Sequence, residues 1–414
     1  ELGLYRRMRM VSGPQGPRVV LDGDPVLLLC SNNYLGLADH PRVRQAAAQA
    51  AMRWGVGAGA SRLVSGNMTV HRRLEERLAE FKRSERCVLF GSGYLANLGV
   101  IGSLAGAGDV IFSDEYNHAS IIDGCRLSRA ETFVYRHGDV EHLAWGLDEA
   151  RGRGALIVTD SVFSMDGDVA PLTEIVELAQ IHDARVIVDE AHATGTLGPG
   201  GRGAVAEAGL EGEVDAVVGT LGKALGSYGA YVCCDSQVAR YLVNTARSLI
   251  FSTSLPPPAV AGALAALELL QEHPRRVRRL AGNADTLREA LEQEGFAAPV
   301  SRTQIVPLIV GDARLAVRLC EEALRRGVFA QAIRPPTVPE GTSRLRLAVM
   351  ASHTERELRG AARALGEAAT ALGLTVEADV IPLPEAQNGQ PAFADQRPFD
   401  GETLDAPARQ RRAA

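Results

Sequence analysis

Seven short apolar runs recur between residues 85 and 235: Cys87-Val-Leu-Phe, Asp109-Val-Ile-Phe, Thr132-Phe-Val-Tyr, Ala155-Leu-Ile-Val-Thr, Arg185-Val-Ile-Val, Ala216-Val-Val-Gly and Ala230-Tyr-Val-Cys-Cys. Helical patterns separate them. Runs so continuous in Val and Ile suit strands buried on both faces, as happens when helices cover both sides of a mostly parallel sheet. The pattern predicts an α/β fold whose ligands sit beyond the carboxyl ends of the strands.

After Pro256-Pro-Pro, the run Ala259 to Leu270 reads as a long helix ending near His273-Pro274, and a basic helical segment, Arg275-Arg-Val-Arg-Arg-Leu, follows. A domain boundary fits there, and the arginines read as a solvated helix face. The expected division is an N-terminal arm over 1–40, a large domain over 41–275, a smaller α+β domain over 276–375 and a proline-rich, disordered tail over 376–414.

With 44 Lys and Arg against 50 Asp and Glu, the chain carries a formal charge of −6 and offers no broad cationic surface for a phosphate backbone. Nucleic acid is therefore not expected as a partner. The longest apolar stretch, Ala259 to Leu270, falls short of the roughly 20 residues that cross a bilayer. The first residues lack the apolar centre of a signal peptide. Six cysteines without a CxxC pair suit reduced thiols. Together these features predict a cytoplasmic protein.

Nearly every cation is Arg; the lysines are Lys82 and Lys223 alone. Lys82 lies in an amphipathic helical pattern and reads as a solvated surface charge. Lys223 lies in the glycine-rich stretch Thr220-Leu-Gly-Lys-Ala-Leu-Gly-Ser-Tyr-Gly, with no helix face to decorate. A guanidinium cannot form an imine, whereas a primary amine of lowered pKa can, so Lys223 is the candidate for Schiff-base chemistry.

Four further stretches place polar groups where parallel strands would end. Phe90-Gly-Ser-Gly-Tyr-Leu-Ala-Asn opens a helix and could cradle a phosphate or serve as a tight turn. Asp189-Glu-Ala-His192 offers either an anion for a protonated ring nitrogen or an N-cap; no second ligand cluster supports zinc. His118 suits stacking on a planar ring or a structural role. Ser164, in Asp160-Ser-Val-Phe-Ser-Met-Asp-Gly-Asp, lacks the Gly-x-Ser-x-Gly elbow of a serine nucleophile.

Phosphate cradle, stacking His, ring-nitrogen Asp and imine-forming Lys, in that order, point to pyridoxal 5′-phosphate. From Asn32 to about Gly373 the chain resembles the α-oxoamine synthases of the fold-type I pyridoxal-phosphate enzymes. The resemblance is carried by Ser31-Asn-Asn-Tyr-Leu-Gly-Leu, Gly55-Val-Gly-Ala-Gly-Ala-Ser-Arg-Leu, Phe163-Ser-Met-Asp-Gly-Asp, Thr220-Leu-Gly-Lys, Asp189-Glu-Ala-His-Ala-Thr-Gly-Thr-Leu-Gly and Ile333-Arg-Pro-Pro-Thr-Val-Pro-Glu-Gly-Thr-Ser-Arg-Leu-Arg. Asp160-Ser161 departs from the Glu-Gly of many members.

The resemblance implies a large, mostly parallel sheet domain with a smaller C-terminal α+β domain, and a homodimer with shared active sites. It implies Lys223 as the covalent anchor of the cofactor, Asp189 on the ring nitrogen, His192 on the phenolic oxygen, His118 stacked on the ring and Ser164 beside the ring oxygen. Ser92, Gly93, Tyr94 and Thr220 would serve the phosphate, with Ser252 reaching it from the neighbouring subunit. Arg346, with Asn32 and Thr337, would take the substrate. Arg344 points to the same face of its strand, so the choice of Arg346 is inherited from the family.

The narrower motifs imply L-alanine and a pimeloyl thioester, on coenzyme A or an acyl carrier protein, as substrates in biotin biosynthesis. Two rivals remain: a sister synthase using glycine or serine with another acyl thioester, and a cofactor-free scaffold of the same fold.

Overall fold

The computed structural model describes residues 5–297 and 301–374, so the proline-rich stretch over 376–414 lies outside the described residues. All seven apolar runs are strands of one sheet, in the spatial order Arg86–Phe90, Ala230–Cys234, Ala216–Thr220, Arg185–Asp189, Ala155–Asp160, Val110–Asp114 and Glu131–Tyr135. Pairing is parallel except along Ala230–Cys234, which runs antiparallel to both neighbours. Alternate side chains of each strand enter different cores: Cys87 and Leu89 on one face, Val88 and Phe90 on the other; Ile157 on one, Leu156 and Val158 on the other. Both faces are covered apart from the edge strand Glu131–Tyr135, which is why the inner strands are apolar rather than alternating.

A three-stranded antiparallel sheet, Ile305–Gly311, Ser343–Ala348 and Gln331–Ile333, is backed by the helices Arg275–Gln293, Ala313–Arg325 and Glu355–Ala371. The last helix opens with a capping box between Thr354 and Glu357. The stretch read as an arm contains strands: Val11–Ser12, Arg18–Leu21 and Asp24–Leu28 form a sheet with Val328–Phe329. Two backbone bonds carry this contact onward, Ala348 N–H to Leu29 O and Ala351 N–H to Tyr34 O, both at 2.7 Å. They seat the Asn32–Tyr34 turn beside the strand that holds Arg346. Among the described residues no helix is long and apolar enough to cross a membrane.

Lys82 corrects its reading as a solvated charge. Its side chain is 4% exposed and is ion-paired with the wholly buried Glu190. Leu74, Leu78 and Lys82 stand four residues apart, so the last turn of the helix Thr69–Lys82 points the lysine along the same buried face.

Candidate active site

Asp189 ends its strand and pairs in register with Asp160 on one side and Val218 on the other. It is 4% exposed. Its Oδ2 accepts from Asn97 Nδ2 at 2.7 Å and its Oδ1 from the Ala191 N–H at 2.7 Å, both neutral donors. The second Asn97 N–H reaches Ser120 Oγ at 2.9 Å, and that hydroxyl lies 2.7 Å from His118 Nδ1. Asp189 and His118 are thereby linked through the helix Gly93–Leu104, which carries Asn97 little more than one turn after Ser92. Asp160 accepts the His118 backbone N–H at 2.7 Å. Burial, reinforced by neighbouring Asp189, pushes the Asp160 carboxyl well above the usual carboxylate range. Burial likewise lowers His118, with Asp189 opposing and Lys223 adding to the shift.

Lys223 sits in the loop between Ala216–Thr220 and Ala230–Cys234. The loop turns at Gly226, whose φ of +58° and packing on the Leu37–Ala38 backbone exclude a side chain. Lys223 Nζ lies 2.7 Å from His192 Nε2. Burial pulls the amine down to about 8, against the pull of Asp189 and Asp160. His192 is held well below its ordinary value by burial and then by the Lys223 charge. Its Nδ1 is 2.6 Å from the Tyr34 hydroxyl.

Tyr34 is the hub that the sequence reading did not single out. Its hydroxyl donates to Asn32 Oδ1 at 3.1 Å and accepts from Arg346 Nη2 at 3.3 Å. Arg346 also donates from Nη1 to Asn32 Oδ1 at 3.3 Å and from Nε to the Ser164 carbonyl. Lys223, His192, Asn32, Arg346 and the Ser164 backbone therefore converge. The signal was available: an aromatic with a polar tip inside a short polar turn. Arg344 is separated from Arg346 by its partners. It is 1% exposed, bonds the Thr342 carbonyl at 2.9 Å and is ion-paired with Asp166.

The loop bearing Ser164 is tied by His137. The two ring nitrogens lie 2.9 Å from Asp114 Oδ1 and 2.9 Å from Asp168 Oδ2. The ring stacks on Tyr116 and meets Phe163 edge-on, each at 4.4 Å between centroids. Burial opposes the charged ring, but the two carboxylates outweigh it and raise His137 to about 10.

The remaining candidates are more dispersed. Ser92 caps the helix Gly93–Leu104 through Leu95 N–H at 3.2 Å, leaving the first-turn N–H groups of Gly93 and Tyr94 without intrahelical acceptors. The Tyr94 hydroxyl bonds Asp123, and the residue is 42% exposed. Thr220 Oγ1 donates to Gly229 O and accepts from Gly222 N–H, both at 3.1 Å. Ser252 follows the helix Arg247–Ile250, next to the Ser61–Thr253 bridge. Thr337 is exposed, 3.4 Å from an Arg6 nitrogen; it lies apart from the Tyr34 hub but lines one small cavity with Ser164, Phe163 and Arg344.

These residues fit pyridoxal phosphate. A buried primary amine titrates near 8, a buried carboxylate bound by neutral donors can receive a cationic ring nitrogen, and a capped helix N-terminus suits a phosphate. Residues 24–365 match the family model for class I and II aminotransferases. The chain belongs to that family, the fold-type I pyridoxal-phosphate-dependent transferases.

Among its relatives is 8-amino-7-oxononanoate synthase of Geobacter sulfurreducens, 52% identical over 377 residues that cover 90% of this chain and 96% of the relative. The enzyme of the same name from Thermoanaerobacter pseudethanolicus is 47% identical, covering 88% of this chain and 93% of its own. Among solved structures, serine palmitoyltransferase from S. paucimobilis with a bound PLP–myriocin aldimine superposes with a TM-score of 0.86, at 34% identity over 88% of this chain and 93% of that one. An 8-amino-7-oxononanoate synthase from Francisella tularensis gives 0.73, at 28% identity over 84% and 99%. These relatives place the chain among the α-oxoamine synthases.

Proposed function

We propose that the protein condenses L-alanine with a pimeloyl thioester, on coenzyme A or an acyl carrier protein, giving 8-amino-7-oxononanoate, CO₂ and the free thiol in biotin biosynthesis. The observation that carries this reading is the 52% identity, over nine-tenths of the chain, to an enzyme of that name. Likeness to serine palmitoyltransferase, at 34% identity, supports the shared chemistry more than the shared acyl donor.

In this reading pyridoxal phosphate, when bound, supplies a cationic ring that delocalises negative charge developing at the alanine Cα. Lys223 would anchor it and, as a neutral amine, would take the proton from the alanine Cα, a role that its lowered pKa suits. Asp189 holds the proton on the ring nitrogen, with Asn97 fixing the carboxylate. His192 would bond the phenolic oxygen, His118 would stack on the ring and Ser164 would stand beside the ring oxygen. The Ser92–Tyr94 turn and Thr220 would bind the phosphate. Arg346 and Asn32 would hold the alanine carboxylate until decarboxylation, a planar bidentate task, with Thr337 as a further substrate contact.

The assembly is a cytoplasmic homodimer, with Ser252 reaching the phosphate across the interface. Supporting the dimer, Val56, Leu63, Val64 and Phe251 are 79%, 55%, 79% and 72% exposed; Phe251 adjoins Ser252 in the chain, and the Ser61–Thr253 bridge joins the segment before Leu63 and Val64 to the segment that holds Ser252.

The test is a cross-assay of alanine, glycine and serine against pimeloyl and longer acyl thioesters, following thiol release. Preference for alanine with the pimeloyl donor is expected; preference for glycine or serine assigns a sister reaction.

A further inference from the structure

The two lysines differ from every other cation in the chain, and only Lys223 is used by the proposed reaction. Lys82 has three N–H donors and three acceptors: Glu190 Oε2, Thr194 Oγ1 at 2.8 Å and the Arg202 carbonyl. A guanidinium brings five donors in a planar fork, so two would be left unpaired in this buried place. Glu190 is fixed from the other side as well. Its Oε1 accepts the Val205 N–H at 2.7 Å, and its own N–H donates to Val218 O at 2.7 Å. Gly203 leaves no room for a Cβ, which would overlap the Glu190 carboxylate. Thr194 also bonds the Tyr231 hydroxyl at 2.8 Å.

The segment tied in this way begins one residue after Asp189 and contains His192. We propose that Lys82 is a positioning residue: through Glu190, Thr194 and Arg202 it fastens the 190–205 segment to the helix Thr69–Lys82 and so sets Asp189 and His192 against the cofactor. The proposal rests on the pyridoxal-phosphate reading above. Its physical basis is that misplacement of a reacting or orienting group by about 1 Å can cost on the order of a hundredfold in rate. Arg346 and Asn32 stand on other elements and meet this segment only through Tyr34 and His192, so alanine binding depends on Lys82 less directly than the cofactor does.

The test compares Lys82→Met and the double variant Lys82→Met/Glu190→Gln in the full-length holoenzyme, each kept below its melting range. Readouts are Tm, affinity for pyridoxal phosphate, the visible circular dichroism of the bound chromophore, kcat, and KM for alanine. Lys82→Met is expected to lower Tm, because Glu190 is left as an unpaired buried charge. It is also expected to lower kcat at least tenfold with KM for alanine within twofold, and to weaken the visible dichroic band. The double variant removes both charges, so Tm returns toward wild type while kcat and the dichroic band stay low. The proposal is overturned if the double variant recovers kcat and the band together with Tm, or if Lys82→Met keeps both. Cofactor affinity and dichroism need no acyl donor, so they judge Lys82 even if the substrate assignment fails.

Discussion

Lys223 Nζ lies 2.7 Å from His192 Nε2, and the far nitrogen of the same ring lies 2.6 Å from the Tyr34 hydroxyl. Burial and the adjacent amine hold His192 well below its ordinary value, so the ring is neutral. Where Lys223 is protonated its ammonium can only donate, which leaves Nε2 bare, places the ring proton on Nδ1 and makes Tyr34 its acceptor. Tyr34 then donates to Asn32 and accepts from Arg346. A single run of bonds joins the lysine proposed to anchor the cofactor to the arginine proposed for the substrate carboxylate.

Lys223→Ala and Lys223→Arg both lose the ability to form an imine. Turnover is expected to fall by more than about 10³-fold. The borohydride-reducible chromophore disappears while far-ultraviolet circular dichroism stays native. Mass spectrometry of the reduced, digested wild type should place the label on Lys223; a label on another residue refutes the assignment.

Because burial brings the Lys223 amine to about 8, capture of pyridoxal phosphate by the cofactor-free protein should accelerate with a midpoint near pH 8. A midpoint near the ordinary lysine value would contradict the buried setting. The same shift has a sign for stability. Lysine protonates less readily in the folded chain, so between about 8 and the ordinary value of 10.5 the unfolded state holds more protons, and this group makes the cofactor-free protein more stable as pH rises.

His137 has the opposite sign. Raised to about 10 by Asp114 and Asp168, its stabilisation is fully present below its ordinary value of 6.5 and is lost as pH rises through 10. In the holoenzyme, where Lys223 is engaged, the urea midpoint of the wild type should fall between pH 7 and 10. His137→Gln should be less stable at pH 7 and show a smaller fall. An equal fall in both proteins would remove the imidazolium from the account.

The two strand arginines should separate cleanly. Arg346→Ala is expected to raise KM for alanine by an amount worth about 2–4 kcal/mol, the loss of one partner from a buried charge pair. Arg344→Met should leave that KM nearly unchanged and instead cost about 3–5 kcal/mol in stability, since Asp166 loses its ion-pair partner. Substrate titration together with urea unfolding of both variants checks the contrast. A KM effect confined to Arg344 would reverse the assignment.

The seven strands and the long helix after Pro256 were legible in the chain itself, because their signals are local, and Asp189 and Lys223 stood out as candidates for the same reason. Val and Ile runs declare burial on both faces, and a lone lysine among glycines has no packing role to fill. Position along the chain does not report what lies across a contact. Tyr34 becomes a hub only because Leu29 and Tyr34 pair with Ala348 and Ala351, more than 300 residues away. Arg344 and Arg346 are equivalent by strand alternation; Asp166 against one and Asn32 with Tyr34 against the other tell them apart. Lys82 carried a local clue in its spacing from Leu74 and Leu78, yet an ammonium on an apolar face is stable only if acceptors from distant segments converge on it. Periodicity and composition therefore determined the elements and the chemistry they could carry. Tertiary structure decided which buried charges and hydroxyls meet, since desolvated polar groups gain their roles from partners that only the folded chain brings together.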